Sequence, residues 1–193
     1  MAKKPDAAPP APAEQRVFAL VHPITHDDRT WDTIELPPPT LAHVIYGEAR
    51  AKGTMARVHQ LSFMSGVPVE AVRSLKLRDM RAVLAWFAEL DKTASGEAQI
   101  EPGEATFELG TPLTSNGVTI AHLTVREPDL NASIVAEKFA DKPYQGIAAM
   151  LAQLSGHPIA VIHKLTMADL ARIEAWFVPF VDATGSMDAG GAT

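Results

Sequence analysis

The sequence predicts an α+β fold made of two similar small domains, each a β-hairpin followed by about three helices. Three observations lead to this reading. The stretch "LKLRDMRAVLAWF" at 75–87 returns as "LTMADLARIEAWF" at 165–177, with Leu, Asp, Ala, Trp and Phe at the same places. A second match lies upstream of each, from 18 to 41 and from 107 to 130. Each copy also changes from strand-forming residues around a polar turn to apolar residues spaced three and four apart, the mark of a helix face.

The repeat covers most of the chain. Phe18, Pro23, Thr25, Thr30 and Pro39 stand 89 positions before Phe107, Pro112, Thr114, Thr119 and Pro128. One extra residue in the second copy then makes the spacing 90, so that Leu61, Gly66, Pro68, Leu75, Asp79 and Trp86 meet Leu151, Gly156, Pro158, Leu165, Asp169 and Trp176. Seven of 24 positions are identical from 18 to 41, and nine of 27 from 61 to 87; unrelated segments would share about one or two. Between 42 and 60 only Ala42 with Ala132 and Lys52 with Lys142 survive. Two copies of a unit this long read as a tandem domain duplication, not a solenoid. The expected organisation is a disordered tail at 1–15, a first repeat at 16–92, a linker at 93–105, a second repeat at 106–183 and a disordered tail at 184–193. The Ala/Pro-rich start and the "TGSMDAGGAT" end have too few bulky apolar side chains to offset their ordering entropy. "TASGEAQIEPGEA" is polar, with two glycines and a proline, and reads as the linker.

Each repeat opens with a hairpin. Asn116-Gly117 supplies the positive-φ residues of a tight turn before Val118, Ile120, Leu123 and Val125. Asp27-Asp28 takes that place in the first repeat and predicts a looser loop, because Asp tolerates left-handed geometry less well than Gly. Pro23 and Pro112 predict that the first strand is an edge strand or ends there. Pro39 and Pro128 mark the switch to helix, with Thr40 and Asp129 as N-caps. First helices are expected at about 41–51 and 130–140, and second helices at about 55–64 and 145–154. The second helices stop at Gly66 and Gly156, followed by Pro68 and Pro158, which open a short turn.

The last helix carries the repeated motif. Thr166 and Asp169 have capping-box spacing, and an acid in the first turn suits the helix dipole. Leu77, Met80, Leu84 and Phe87 form one apolar stripe; Val83, Trp86 and Leu90 form a second beside it. Leu170, Ile173, Phe177, Phe180 and Val181 behave alike. A domain of this size has little interior for two stripes. The first is expected to pack its own domain. The repeated Trp-Phe then reads either as ordinary core, as aromatics at helical spacing usually are, or, with Val83, Trp86, Leu90, Ile173, Trp176 and Phe180, as a surface for a partner helix. If both hold, Phe faces inward and Trp stands at the rim.

Composition excludes several classes of function. The formal net charge is -6 and no basic cluster exceeds Lys3-Lys4, so nucleic acid is not an expected partner. Cysteine is absent, which removes disulfides and thiolate chemistry. No stretch has the roughly 18 apolar residues of a membrane span. The start lacks the apolar run of a secretory signal, so a cytoplasmic protein is expected, with no membrane partner. Histidines at 22, 26, 43, 59, 122, 157 and 163 are scattered. His22 and His26 are four apart, but Pro23 breaks the helix that a metal pair would need. No nucleophile elbow, zinc-protease motif, phosphate loop or dinucleotide fingerprint occurs. Asp79 and Asp169 have capping as a sufficient role. No catalytic, cofactor or metal site is expected, and the protein reads as a non-enzyme.

The segments "FELGTPLTSNGVTIAHLTVREP" (107–128) and "LAQLSGHPIAVIHKLTMADLARIEAWF" (151–177) resemble the phage tail assembly chaperones of the Mu-like kind. The first is similar to the family's opening pattern of strand, Pro-Ile/Leu-Thr, turn, second strand and Pro. The second is similar to its Leu-x-Gly-x-Pro turn followed by Leu-x-x-x-Asp before an aromatic helix. Residues 18–39 and 61–87 repeat both, with Pro37-Pro38-Pro39 replacing the charged "REP". The resemblance implies a phage or prophage protein of the host cytoplasm that acts in virion morphogenesis. It implies binding to the helical tape measure protein, with the tail tube protein as a second candidate partner, and leaves homo-oligomerisation open. The alternative reading is a structural tail component retained in the virion.

Overall fold

The computed structural model of the chain describes residues 15–93 and 98–185. Nearly all of the two expected tails lies outside the described residues.

In the first half, β1 (Arg16–His26) and β2 (Arg29–Leu36) pair antiparallel. They lead to α1 (Leu41–Glu48), α2 (Gly53–Ser65), α3 (Val69–Arg73) and α4 (Leu77–Thr93). The second half has a three-stranded antiparallel sheet of β3 (Ala98–Glu101), β4 (Glu104–Ser115) and β5 (Val118–Arg126), in that order. The helices α5 (Leu130–Glu137), α6 (Pro143–Ser155), α7 (Ile159–Ile162) and α8 (Met167–Gly185) follow. The class is α+β, and the succession of hairpin and helices occurs twice. Among the described residues the helices number four in each half, because the expected short turn is itself helical. Gly66 and Gly156 end the preceding helix at φ 69° and 70°, and Pro68 and Pro158 then stand as the N-caps of α3 and α7.

Irregularities recur at equivalent places. The β1–β2 register shifts between Ala19 and Ile24, and the β4–β5 register between Glu108 and Leu113. Pro23 and Pro112 sit inside these breaks, where the ladder does not require an N–H, so the strands run through them instead of ending. Asp27 and Asp28 have φ 45° and 57°, and Asn116 and Gly117 have 49° and 79°. The first turn is therefore as tight as the second, with two aspartates held in left-handed geometry. Gly47 of α1 touches the Ala56 carbonyl of α2, while Gly146 of α6 packs against Ala136 of α5. The small residue has changed sides, and the close helix crossing is kept.

Two expectations change. Ala98–Glu101, read as linker, is a strand: Pro102-Gly103, with Gly103 at φ 87°, forms a tight turn that folds it back on β4. The first helices begin 89 positions apart and the second helices 90 apart. The extra residue therefore lies in the turn between them, and Ala132 stands opposite His43, not Ala42.

Each half has its own apolar core. Phe18, Ile34, Leu36, Leu61, Val83 and Trp86 fill the first; Phe107, Leu123, Leu151, Leu165, Ile173 and Phe177 fill the second. Leu41 crosses over. It belongs to the first half by sequence, yet it is fully buried in the second core, with Ile45 packed beside it. Backbone bonds fix this junction. Thr40 and Thr166 form an isolated antiparallel bridge, and the Met167 N–H donates to the Pro39 carbonyl at 2.9 Å. The Leu41 and Ala42 N–H groups donate to the carbonyls of Leu165 and His163 at 2.9 and 2.8 Å. The start of a helix leaves such donors without helical partners; here the other half supplies the acceptors.

Candidate partner-binding site

The apolar stripes of the last helices decide what a partner could touch. On α4 the inward face is the stripe expected to be left over: Val83 and Trp86 are buried in the first core, and Leu90 is half-buried against it. Trp86 meets Phe18 edge-on with centroids 5.5 Å apart. Leu77, expected to face inward, is exposed, while Leu84 and Phe87 are half-buried on the side facing the second half. On α8, Ile173 is fully buried, and Trp176 and Phe180 are half-buried. The repeated Trp-Phe pair thus swaps roles: Trp86 is inside and Phe87 at the rim, whereas Phe177 is inside and Trp176 at the rim. Of the six residues picked out in the sequence, Leu90, Trp176 and Phe180 keep partial access to solvent. Val83, Trp86 and Ile173 give a partner none while the cores stay closed.

Asp79 and Asp169 do more than cap. Asp169 Oδ1 accepts the N–H of Gly110 at 2.9 Å, and Asp79 Oδ1 accepts the N–H of Val21 at 3.1 Å. Both amides lie in the register break of the first strand, where the ladder leaves them unpaired. Each aspartate pins its bulge to its last helix. Thr166 completes the second site, donating its hydroxyl to Asp169 Oδ2 at 2.8 Å and accepting the Asp169 N–H at 3.1 Å. Lys76 occupies the equivalent place in the first half, and Asp79 Oδ2 is buried without a partner. The sequence held a signal for this: both copies keep the aspartate while Arg78, Arg81 and Ala82 become Ala168, Ala171 and Arg172.

A concave surface large enough for a side chain or helix edge lies where the halves meet. An open cleft of about 810 Å³ is bounded by α1, α2, α4, α6 and α8. Leu84, Phe87, Ala88, Met167, Ala171 and Tyr144 give it apolar walls; Glu48, Lys52, Arg57, Asp141 and Glu174 give it charged ones. Glu174 stands where the first half has Leu84. Burial pushes its carboxyl above the usual carboxylate range. At the neighbouring junction burial lowers the pKa of His43 and of His163. His43 Nδ1 accepts the Thr40 N–H at 3.0 Å, so the neutral ring is the form that fits. A cleft assembled from both halves could not be read from either repeat alone.

Among the described residues no cluster of three metal-ligating side chains occurs, and no helix is long and apolar enough to cross a membrane. Residues 106–182 match the family described as phage tail assembly chaperone proteins, E, or 41 or 14. That stretch coincides with the second half, from β4 through most of α8. No curated protein and no solved structure matches the chain.

Proposed function

We propose, from the match of residues 106–182 to the phage tail assembly chaperone family, that the chain binds the helical tape measure protein and keeps it soluble during tail assembly, without catalysis. The observation that carries this reading is the family match over a complete hairpin-and-helices module. The cleft supports it, because apolar walls with charged residues among them suit one face of an amphipathic helix. Trp176 and Phe180, half-exposed beside the second core on the other side of α8, offer a separate apolar surface. The first half, with the same element order and the same register break, is a second copy of the module in this proposal. Two linked modules would hold one long helix with more avidity than either alone. The tail tube protein is the second candidate partner, and the host cytoplasm is the proposed place of action.

Co-expression with a tape measure protein from the same genome is the direct test. The partner should be soluble and co-purify with this chain, and should aggregate when expressed alone. A partner equally soluble alone overturns the proposal. Mass spectrometry of purified particles separates the alternative: a chaperone is missing from finished virions, and a structural tail component is present in them.

A further inference from the structure

The junction between the halves uses one surface of the first half and a different surface of the second, so the chain ends with one unused copy of each. Leu41 and Ile45 of α1 plug into the second half. Their equivalents on α5 are Leu130, 75% exposed, and Ile134, 52% exposed. Met167 of α8 receives that plug, packed against the second core; its equivalent on α4 is Leu77, 76% exposed. Ala88 lines the cleft between the halves, and its equivalent Val178 is 53% exposed. Leu130, Ile134 and Leu77 stand in solvent at places that are wholly or partly buried where the halves touch, and Val178 adds to them at the place that borders the cleft.

We propose that a second copy of this chain covers them, docking head to tail through a repeat of the internal junction. The α5 start of one copy would enter the α3–α4 turn of the next. The Leu130 and Asn131 N–H groups would then meet the carbonyls of Leu75 and Arg73, and the Leu77 N–H would meet the carbonyl of Pro128. The charges agree. Thr40 faces Thr166 inside the chain, whereas the equivalent pair between copies is Asp129 with Lys76, of opposite sign. Glu48, whose Oε1 accepts the Tyr144 N–H at the start of α6 at 3.4 Å, has Glu137 as its equivalent. Glu137 would stand at the start of α2 in the next copy, where a helix dipole favours an anion. Because the contact is heterologous, association continues past two copies. The internal junction is the template for the occupant: the same fold, in the same register, already covers the matching surface once.

Sedimentation of the full chain between about 1 µM and 1 mM, the range of weak protein contacts, tests this. The average mass should rise with concentration beyond that of a dimer. Leu77→Asp and Leu130→Asp each remove one end. Both positions are exposed first-turn sites where an acid favours the helix, so each variant should keep the circular dichroism of the parent. Each alone should stay monomeric, and an equimolar mixture should form a dimer and stop, because each variant brings the end the other lacks. A parent monomeric throughout, single variants that still associate, or a mixture that stays monomeric each overturns the proposal.

Discussion

Asp169 Oδ1 holds the backbone N–H of Gly110 at 2.9 Å, joining the first turn of α8 to the break in β4. The residues are 59 positions apart, and Asp79 repeats the link to Val21. A carboxylate that accepts a strand amide and a cap hydroxyl, and also accepts from Arg172 at 3.3 Å, is a tie between sheet and helix. Its removal should cost more than a cap alone. Asp169→Ala is expected to lower stability by about 2–4 kcal/mol, since it leaves the Gly110 N–H and the Thr166 hydroxyl without their acceptor. Urea denaturation at neutral pH measures the loss; a cost under 1 kcal/mol would mean that the tie carries no load.

The first half offers the reverse experiment. Lys76→Thr places a hydroxyl where Thr166 stands in the second half and gives Asp79 Oδ2 the donor it lacks. The variant should gain roughly 0.5–1 kcal/mol. An unchanged denaturation midpoint would show that water already satisfies that oxygen.

Asp28 sits at φ 57°, and Gly117 holds the equivalent place at 79°. A left-handed conformation strains a residue with a Cβ and leaves glycine free. Asp28→Gly is expected to raise the thermal midpoint, by an amount corresponding to roughly 0.5–1 kcal/mol after allowing for the greater freedom of glycine in the unfolded chain. Scanning calorimetry decides it, and a lower midpoint would mean that the Asp28 side chain makes a compensating bond.

These comparisons also show how much of the fold was legible. The hairpins, the caps at Thr40 and Asp129, the left-handed Gly66 and Gly156 and the last helices follow from local chemistry, and the sequence displays that chemistry directly. Propensity alone predicts a loose turn at Asp27-Asp28; the pairing of β1 with β2 imposes a tight one. Pro102-Gly103 looks like linker in the sequence because β3 is only four residues long, too short to show alternation. The face of α4 differs in part, for another reason. Both stripes are apolar, and which one faces inward depends on where the other half lies. Val83, Trp86 and Leu90 meet their own core, Met80 and Phe87 of the other stripe also pack against it, and Leu84 and the outer edge of Phe87 line the cleft. A pattern within one helix cannot distinguish burial by its own domain from burial by a neighbour.

The cleft makes its own prediction. Ala171 is exposed and lines it, so Ala171→Arg should leave the fold intact while placing a charge and a long side chain in the path of a docking helix. Co-purification of the tape measure protein should fall severalfold, and circular dichroism should not change. Undiminished capture would move the binding surface away from the cleft, toward Trp176 and Phe180.

The last prediction concerns pH, where two groups act with opposite sign. Burial lowers the pKa of His43 and His163 below the ordinary 6.5, so the unfolded chain takes up these protons first. Their contribution is fully present above pH 6.5 and is lost as the pH falls through the lower folded values. Protonated His43 would also turn a donor toward the Thr40 N–H it now accepts. Acid should therefore weaken the junction of the halves. Glu174 runs the other way: burial raises its pKa above 4.5, the folded chain holds that proton longer, and stability is lost as the pH rises from 4.5 through the folded value. Glu174→Gln should consequently raise the denaturation midpoint at pH 7 and leave it little changed at pH 4. His43→Ala, which copies Ala132 of the second half, should flatten the decline between pH 7 and pH 5. Urea titrations at these pH values separate the two groups, and a decline equally steep in the His43→Ala protein would assign the acid sensitivity to His163.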